Sequence, residues 1–321
     1  MRSTVGTADG SEHGQRRAWS RSPLASSLHS QRIMKRFVVV ALLAACSSSQ
    51  PVTPVAAPVT PAPATLRRDI PLPGDANGIY WDATDHTLYL TDATHDTLIA
   101  WTDANGFATI AALPPADKIE LGGITRLADG TFVIASFGFG TDGAVLAVGP
   151  DHHATTVPGL DKARRRIGIT RAPDGTLYDA YFVVDGHQHT GGVAKLDLAN
   201  GESDVVTQGL TKSVGVAATA AGVFVSDQEA NTIFAIDNGA LKPLATGLPS
   251  VDLLTALPDG SLVTGGKTGV VVRVAPDGTQ SQVASGFDQV RGTAYDPAGH
   301  RLFVVEHGKA GANHTLHVLP L

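Results

Sequence analysis

The 321 residues carry 24 Lys or Arg against 30 Asp or Glu, a formal charge of −6, and an acidic chain repels phosphate backbones, which argues against nucleic acid as a partner. Thirty-five glycines and 19 prolines with only 6% aromatic residues suit an all-β chain rich in turns, and no long amphipathic helix is visible in the pattern. Cys46 is the only cysteine, so an intramolecular disulfide is excluded and stability has to come from burial and closure.

From the N-terminus, residues 1–33 are rich in Ser and Arg and show no apolar periodicity; translation is expected to begin at Met34, downstream of this stretch. Met34-Lys35-Arg36 and the apolar run Phe37 to Ala45 read as a signal peptide over 34–45, because the run is well short of the roughly 20 residues a spanning helix needs. Leu43-Ala44-Ala45-Cys46 resembles a bacterial lipobox, which implies a lipid on Cys46, attachment to a membrane and export to the cell envelope. Ser47 in the position that follows points to the outer membrane. Residues 46–66 contain Pro at 51, 54, 58, 61 and 63, and repeated proline favours an extended, semi-rigid tether. Residues 1–45 hold seven Lys or Arg against two Asp or Glu, so the chain from Cys46 onward carries about −11.

Beyond the tether one phrase recurs: an apolar or small pair, a turn, and Leu or Phe opening a second strand. It reads Gly78-Ile79 with Leu88-Tyr89, Gly123-Ile124 with Asp129-Gly130-Thr131-Phe132, and Gly168-Ile169 with Asp174-Gly175-Thr176-Leu177. Gly215-Val216 with Gly222-Val223-Phe224, Leu253-Leu254 with Asp259-Gly260-Ser261-Leu262, and Gly292-Thr293 with Arg301-Leu302-Phe303 complete the series. The steps are about 45, 45, 47, 38 and 39 residues, the period of one four-stranded propeller blade. Residues 67–321 are therefore expected to form one all-β domain, a six-bladed β-propeller, as a monomer. In the second unit the strands are expected at 124–127, 131–136, 144–148 and 154–157. The last unit lacks a strand, and Arg68 to Leu72, with Ile70 and Leu72 on one side, is expected to supply it and remove an exposed edge.

This register predicts two faces. The Asp-Gly hairpins point one way; the loops after the second strands and the crossings between blades point the other, around the central channel. The residue before each repeated pair is expected to rim that channel: Asn77, Gly122, Ile167, Val214, Asp252 and Arg291. Second-strand loops add Asp92 and His95, Phe137 and Phe139, the segment 181–189 with His187 and His189, Asp227 and Glu229, Lys267, and the segment 306–314 with Glu306, His307 and His314. His187 and His189 with Asp185 have zinc- or copper-type donors. Glu306-His307 with His314 has acid/base types, but neighbours on a strand point to opposite faces, which argues against Glu306 and His307 acting together. Arg164-Arg165-Arg166 reads as a solvated charge run that could otherwise hold an anion. Neither a Gly-x-Ser-x-Gly elbow nor a phosphate loop is present.

Asn77-Gly78-Ile79-Tyr80-Trp81-Asp82 through Leu88 to Asp92, and Val214-Gly215-Val216 through Val223 to Asp227, resemble NHL-repeat blades. Residues 68–321 as a whole are similar to the six-bladed senescence-marker-protein/gluconolactonase superfamily. That resemblance implies a Ca2+ or other divalent ion in the channel, held by a Glu before the first inner strand, Asn residues from middle blades and an Asp before a later one. Placed by blade, Asn77 stands at the Glu position, Val214 at an Asn position, and Asp252 alone agrees in type; Glu229 or Glu306 would have to complete such a shell. The expected function is a lipid-anchored envelope propeller binding a small molecule or protein segment on its channel face, with catalysis unassigned. The alternatives are a gluconolactonase-like, divalent-metal-dependent lactone or ester hydrolase, and an envelope scaffold without a pocket.

Overall fold

The computed structural model describes residues 67–114, 120–309 and 314–321; the expected signal segment, Cys46 and the tether lie outside them. After β1 (Arg68–Pro71) the first blade is β2 (Ala76–Asp82), β3 (Thr87–Asp92), β4 (Thr97–Thr102) and β5 (Gly106–Ala112). The second is β6 (Leu121–Arg126), β7 (Phe132–Ser136), β8 (Ala144–Val148) and β9 (Ala154–Thr156), and the third β10 (Arg165–Arg171), β11 (Leu177–Asp185), β12 (Gln188–Asp197) and β13 (Gly201–Leu210). The fourth is β14 (Ser213–Thr219), β15 (Gly222–Asp227), β16 (Thr232–Asp237) and β17 (Ala240–Ala245), and the fifth β18 (Thr255–Ala256), β19 (Leu262–Thr264), β20 (Val270–Val274) and β21 (Gln280–Ser285). The sixth joins β22 (Val290–Asp296), β23 (Arg301–Glu306) and β24 (Thr315–Pro320) to β1, in the order β1-β24-β23-β22. Each blade is a four-stranded antiparallel sheet, so the molecule is a six-bladed propeller closed by its two ends.

The hairpin turns follow from side-chain chemistry. Asp129, Asp174 and Asp259 each accept the backbone N–H two residues on, at 2.9, 2.9 and 3.0 Å, and the glycine between supplies a φ of 92°, 90° and 83° that few other residues adopt. Six apolar clusters form the core, one between each pair of neighbouring blades. Ala217, Phe224 and Ile233 of the fourth blade meet Leu262 and Val272 of the fifth, and Trp81, Leu90 and Trp101 of the first meet Phe303, Leu316 and Val318 of the sixth.

Closure uses burial and charge together. Ile70 pairs with Leu316 and packs on the cluster that contains Leu72. The buried His317 bridges Asp69 of β1 and Glu306 of β23, each at 2.7 Å. Arg68 and Arg301 converge on Asp103 of the first blade, each at 2.5 Å, tying the sheet that closes the ring to its neighbour.

Inner strands start earlier than alternation predicts. In the second blade Leu121 already pairs with Ser136 and the register slips between Leu121 and Ile124, because a bulge lets pairing continue through Gly122 and Gly123. Comparable slips interrupt the inner pair of the first, third, fourth and sixth blades. At these slips the backbones of neighbouring blades almost touch. A Cβ on Gly168, Gly215 or Gly292 would lie 2.6, 2.5 or 2.7 Å from the carbonyl oxygen of Val214, Asp252 or Asn77 in the adjacent blade. Hydroxyls stitch the same places: Ser226 Oγ accepts the Gly215 N–H at 2.8 Å and donates to the Asp252 carbonyl at 2.8 Å.

Gly215→Ala is expected to lower stability by about 1–3 kcal/mol, as an added methyl in a packed interior does. Gly123→Ala, where the nearest atom would be 3.1 Å away, should cost less, and urea unfolding of the two variants measures the difference.

Candidate functional site

The channel holds a cavity at each end, and the two share no lining residue. At the hairpin end a cavity of about 230 Å³ is walled by Tyr80, Thr125, Thr170, Arg171, Thr255 and Tyr295 among others and contains no carboxylate. At the opposite end, on the face of the second-strand loops, a cavity of about 260 Å³ collects most of the charge. Its walls are Asn77, Glu120, Gly122, Phe137, Ile167, Lys212, Gln228, Asp252, Lys267, Gln289 and Arg291. Five of the six rim positions read from the repeat thus line this mouth; the sixth, Val214, is fully buried outside its lining.

Asp252 is 4% exposed. Burial pushes its carboxyl up to about 7, against the pull of Arg291 and then Lys212, while Glu120 adds to the rise. Gln228 Nε2 is 3.5 Å from its Oδ2, at the outer limit of a hydrogen bond. Arg291 sits 3.6 Å from Glu120. Lys212 is held below the ordinary lysine range, first by burial and then by repulsion from Lys267. Asn77 Oδ1 and Arg291 Nε are buried without a partner among the described residues, so the wall carries an acceptor and a donor for which the protein provides no match.

The other sequence-derived candidates take up different duties. Asp227 is buried and accepts the backbone N–H groups of Thr211, Lys212, Glu229 and Ala230 at 2.6 to 3.2 Å, which shapes the loop that presents Lys212. Glu306 bonds His317 and the Asp288 amide on the side of its strand away from His307, as alternation requires. Neither Asp227 nor Glu306 lines the mouth. Glu229 contacts His189 Nδ1 at 2.5 Å. The segment 181–189, expected as a loop, is instead the paired ends of β11 and β12, because strand pairing continues to Asp185 and Gln188; exposed Asp185 ends β11 and exposed His187 lies in the two-residue turn. His307 meets His314 and Asp75 at the rim.

The arginine run is not a solvated face. Arg166 is fully buried on Asp179 and Glu202, and Arg164 also pairs with Glu202. Arg165 lies over the rings of Phe137 and Phe182, 5.4 and 5.8 Å from their centroids. Phe139, 40% exposed, stands edge-on to Phe137 at 4.9 Å, so an aromatic shelf adjoins the mouth.

Sequence reasoning missed Glu120, Lys212, Gln228 and Gln289. Glu120, Lys212 and Gln289 each immediately precede the first residue of an inner strand, β6, β14 and β22, ahead of the bulge, where alternation does not reach; Gln228 carries no mark in the chain.

For calcium the wall offers two carboxylates, Asp252 and Glu120, and three amides, Asn77, Gln228 and Gln289, against the six to eight oxygens a hard cation takes. Glu120 is already paired with Arg291, and Lys212, Lys267 and Arg291 line the same cavity, so three cations oppose a bound one.

No family model matches the chain, and no curated protein matches it in sequence. Solved structures do match. A gluconolactonase from Xanthomonas campestris is 19% identical, with 77% of this chain and 86% of that one covered at a TM-score of 0.58. A calcium-binding protein, regucalcin, from Agrobacterium tumefaciens is 16% identical, covering 78% and 90% at 0.61. Virginiamycin B lyase from Staphylococcus aureus is 12% identical, covering 79% and 99% at 0.56. The gluconolactonase and regucalcin among the structural neighbours are six-bladed propellers of the gluconolactonase-like kind, and at these identities the likeness shows the fold alone.

Because burial raises the Asp252 carboxyl from 3.8 to about 7, the folded protein keeps a proton that the unfolded chain has released between about pH 4 and 7. Its contribution to stability therefore falls as pH rises through that window. Asp252→Asn is expected to flatten this part of the stability profile, which denaturant midpoints measured from pH 4 to 8 would show.

Proposed function

We propose that the channel mouth binds a small organic anion, a carboxylate-bearing molecule with an apolar portion, in a propeller tethered to the cell envelope through a lipid on Cys46. The observation that carries the binding reading is the charge of the wall. Lys212, Lys267 and Arg291 face one small cavity in which Glu120 is committed to Arg291 and Asp252 holds its proton up to near neutrality. Two lysines are left without a carboxylate partner there among the described residues, and an anion gains charge-assisted hydrogen bonds from both. The unmatched Asn77 Oδ1 accepts a ligand hydroxyl or amine, and Phe137 with its edge-on neighbour Phe139 receives an apolar portion.

A lactone or ester hydrolase is the second reading, in keeping with the gluconolactonase among the structural neighbours. The observation in its favour is Asp252, a carboxyl titrating close to neutral pH beside an arginine in an enclosed mouth, where a general base would be poised. In that reading Asp252 would take a proton from water, and Arg291 and Lys212 would face the charge developing on the carbonyl oxygen.

Calorimetry with benzoate and gluconate as anionic probes, glucose as the neutral control and CaCl2 as the metal control tests the first reading. An anion should bind, and Lys212→Ala or Arg291→Gln should weaken it about tenfold or more. Equal affinity for glucose, or calcium binding that Asp252→Asn abolishes, would overturn it. For the anchor the support is the run Leu43-Ala44-Ala45-Cys46; no helix of the described residues is long and apolar enough to cross a membrane. Cys46→Ser should move the protein from the membrane fraction to the soluble fraction on ultracentrifugation.

A further inference from the structure

Asp75, His307 and His314 meet on the rim where the two ends of the propeller come together, and we propose that they form a binding site for a divalent transition metal of the zinc class. One ring nitrogen from each histidine and a carboxylate oxygen of Asp75 lie within 4.8 Å of one another. That spread brings all three within reach of one ion at bond lengths of about 2.0–2.2 Å after small side-chain rotations. His307 Nδ1 is 3.0 Å and His314 Nε2 3.9 Å from the same Asp75 oxygen, Oδ1. The two imidazoles are 4.3 Å apart, centre to centre, tilted by 39°. Two rings crowded on one carboxylate oxygen are held together best by a cation that both nitrogens and the oxygen can share.

The backbone has already placed these groups. Asp75 is clamped by its N–H to Thr94 Oγ1 and by its carbonyl to the Ala93 N–H, both at 2.9 Å. The His307 N–H donates to the Gln289 carbonyl at 2.8 Å, and the His314 carbonyl accepts the Leu72 N–H at 3.0 Å. A further contact, from the Gly308 N–H to His314 Nδ1, is long at 3.3 Å, so turning the ring to present either nitrogen costs little. All three side chains are half-buried, and none lines the channel cavity. Among the described residues this is the one grouping of three such ligands so close together.

Two imidazoles and one carboxylate are borderline donors that favour Zn2+, Co2+ or Ni2+ over Ca2+ and Mg2+. Three protein ligands leave a fourth position for water or a ligand atom. Asp75 precedes the first blade, whereas both histidines belong to the last, so a bound ion would staple the seam at which the ring closes and its binding free energy would add to the stability of closure.

The test uses purified full-length protein stripped with a chelator and then dialysed free of it. Calorimetry with ZnCl2 should give one tight site, with no comparable heat from CaCl2 or MgCl2. The melting temperature should rise by about 5 °C or more at zinc about 100-fold above Kd. Loading with Co2+ should give visible absorption bands of a low-coordinate N/O site. His307→Gln, His314→Gln and Asp75→Asn should each abolish the tight site and the zinc-dependent shift, while His187→Gln should change neither. Circular dichroism of the metal-free variants separates a lost ligand from a lost fold. No tight zinc binding, or binding that survives both histidine substitutions in folded protein, would overturn the proposal.

Discussion

The inner strands of neighbouring blades approach until carbonyl oxygens fill the space where a side chain would begin, and most of the structure depends on that contact. Around the ring the Cα of Gly78, Gly122, Gly168, Gly215 or Gly292 faces a backbone atom of the next blade, and only glycine allows such an approach. The crowding creates bulges, and each bulge leaves amides and carbonyls that the sheet no longer pairs. Thr91, Ser226 and Thr264 answer with hydroxyls that accept an amide of their own blade, at 2.9, 2.8 and 3.1 Å. In the first and fourth blades the same hydroxyl also reaches the carbonyl of the next blade, so the inner ring is bonded around its circumference as well as along its strands.

The same geometry sets the chemistry of the channel. Backbone packed this tightly leaves the mouth to the side chains at and just before the inner strands and in the second-strand loops, and their identity decides what the mouth can hold. Lys212, Lys267 and Arg291 set three cations against the carboxylates of Glu120 and Asp252, and Asp252 is so enclosed that burial outweighs two nearby positive charges in setting its proton affinity. The fold is shared with a gluconolactonase and with regucalcin, and what this mouth can hold is set by the side chains the common scaffold carries.

Charge is also used away from the channel, with different logic. Arg166 lies fully buried between Asp179 and Glu202, where removing one partner would strand the others in a low dielectric. Phe287 is covered by the guanidinium of Arg67 at 4.7 Å, and the His317 bridge lies beside the same ring at 4.9 Å. Closure thus has a mixed polar and aromatic layer of Arg67, His317 and Phe287, with Phe287 packed in the cluster between the fifth and sixth blades, besides the apolar cluster of Trp81, Trp101 and Phe303.

Turn chemistry and strand alternation act over a few residues, so the chain itself determined the six blades, the hairpins at Asp129, Asp174 and Asp259, the rim position in five of the six blades and the use of Arg68 to Leu72 as the closing strand. Only the tertiary structure decided which charges meet. Arg166 reads as exposed in a run of three arginines, but a strand sends neighbouring side chains to opposite faces and the partner strand supplies Asp179. Asp75 and His307 are 232 residues apart and become neighbours because ring closure brings the first and last blades together. Local patterns carry no information about such meetings, since the partner is chosen by the path of the whole chain.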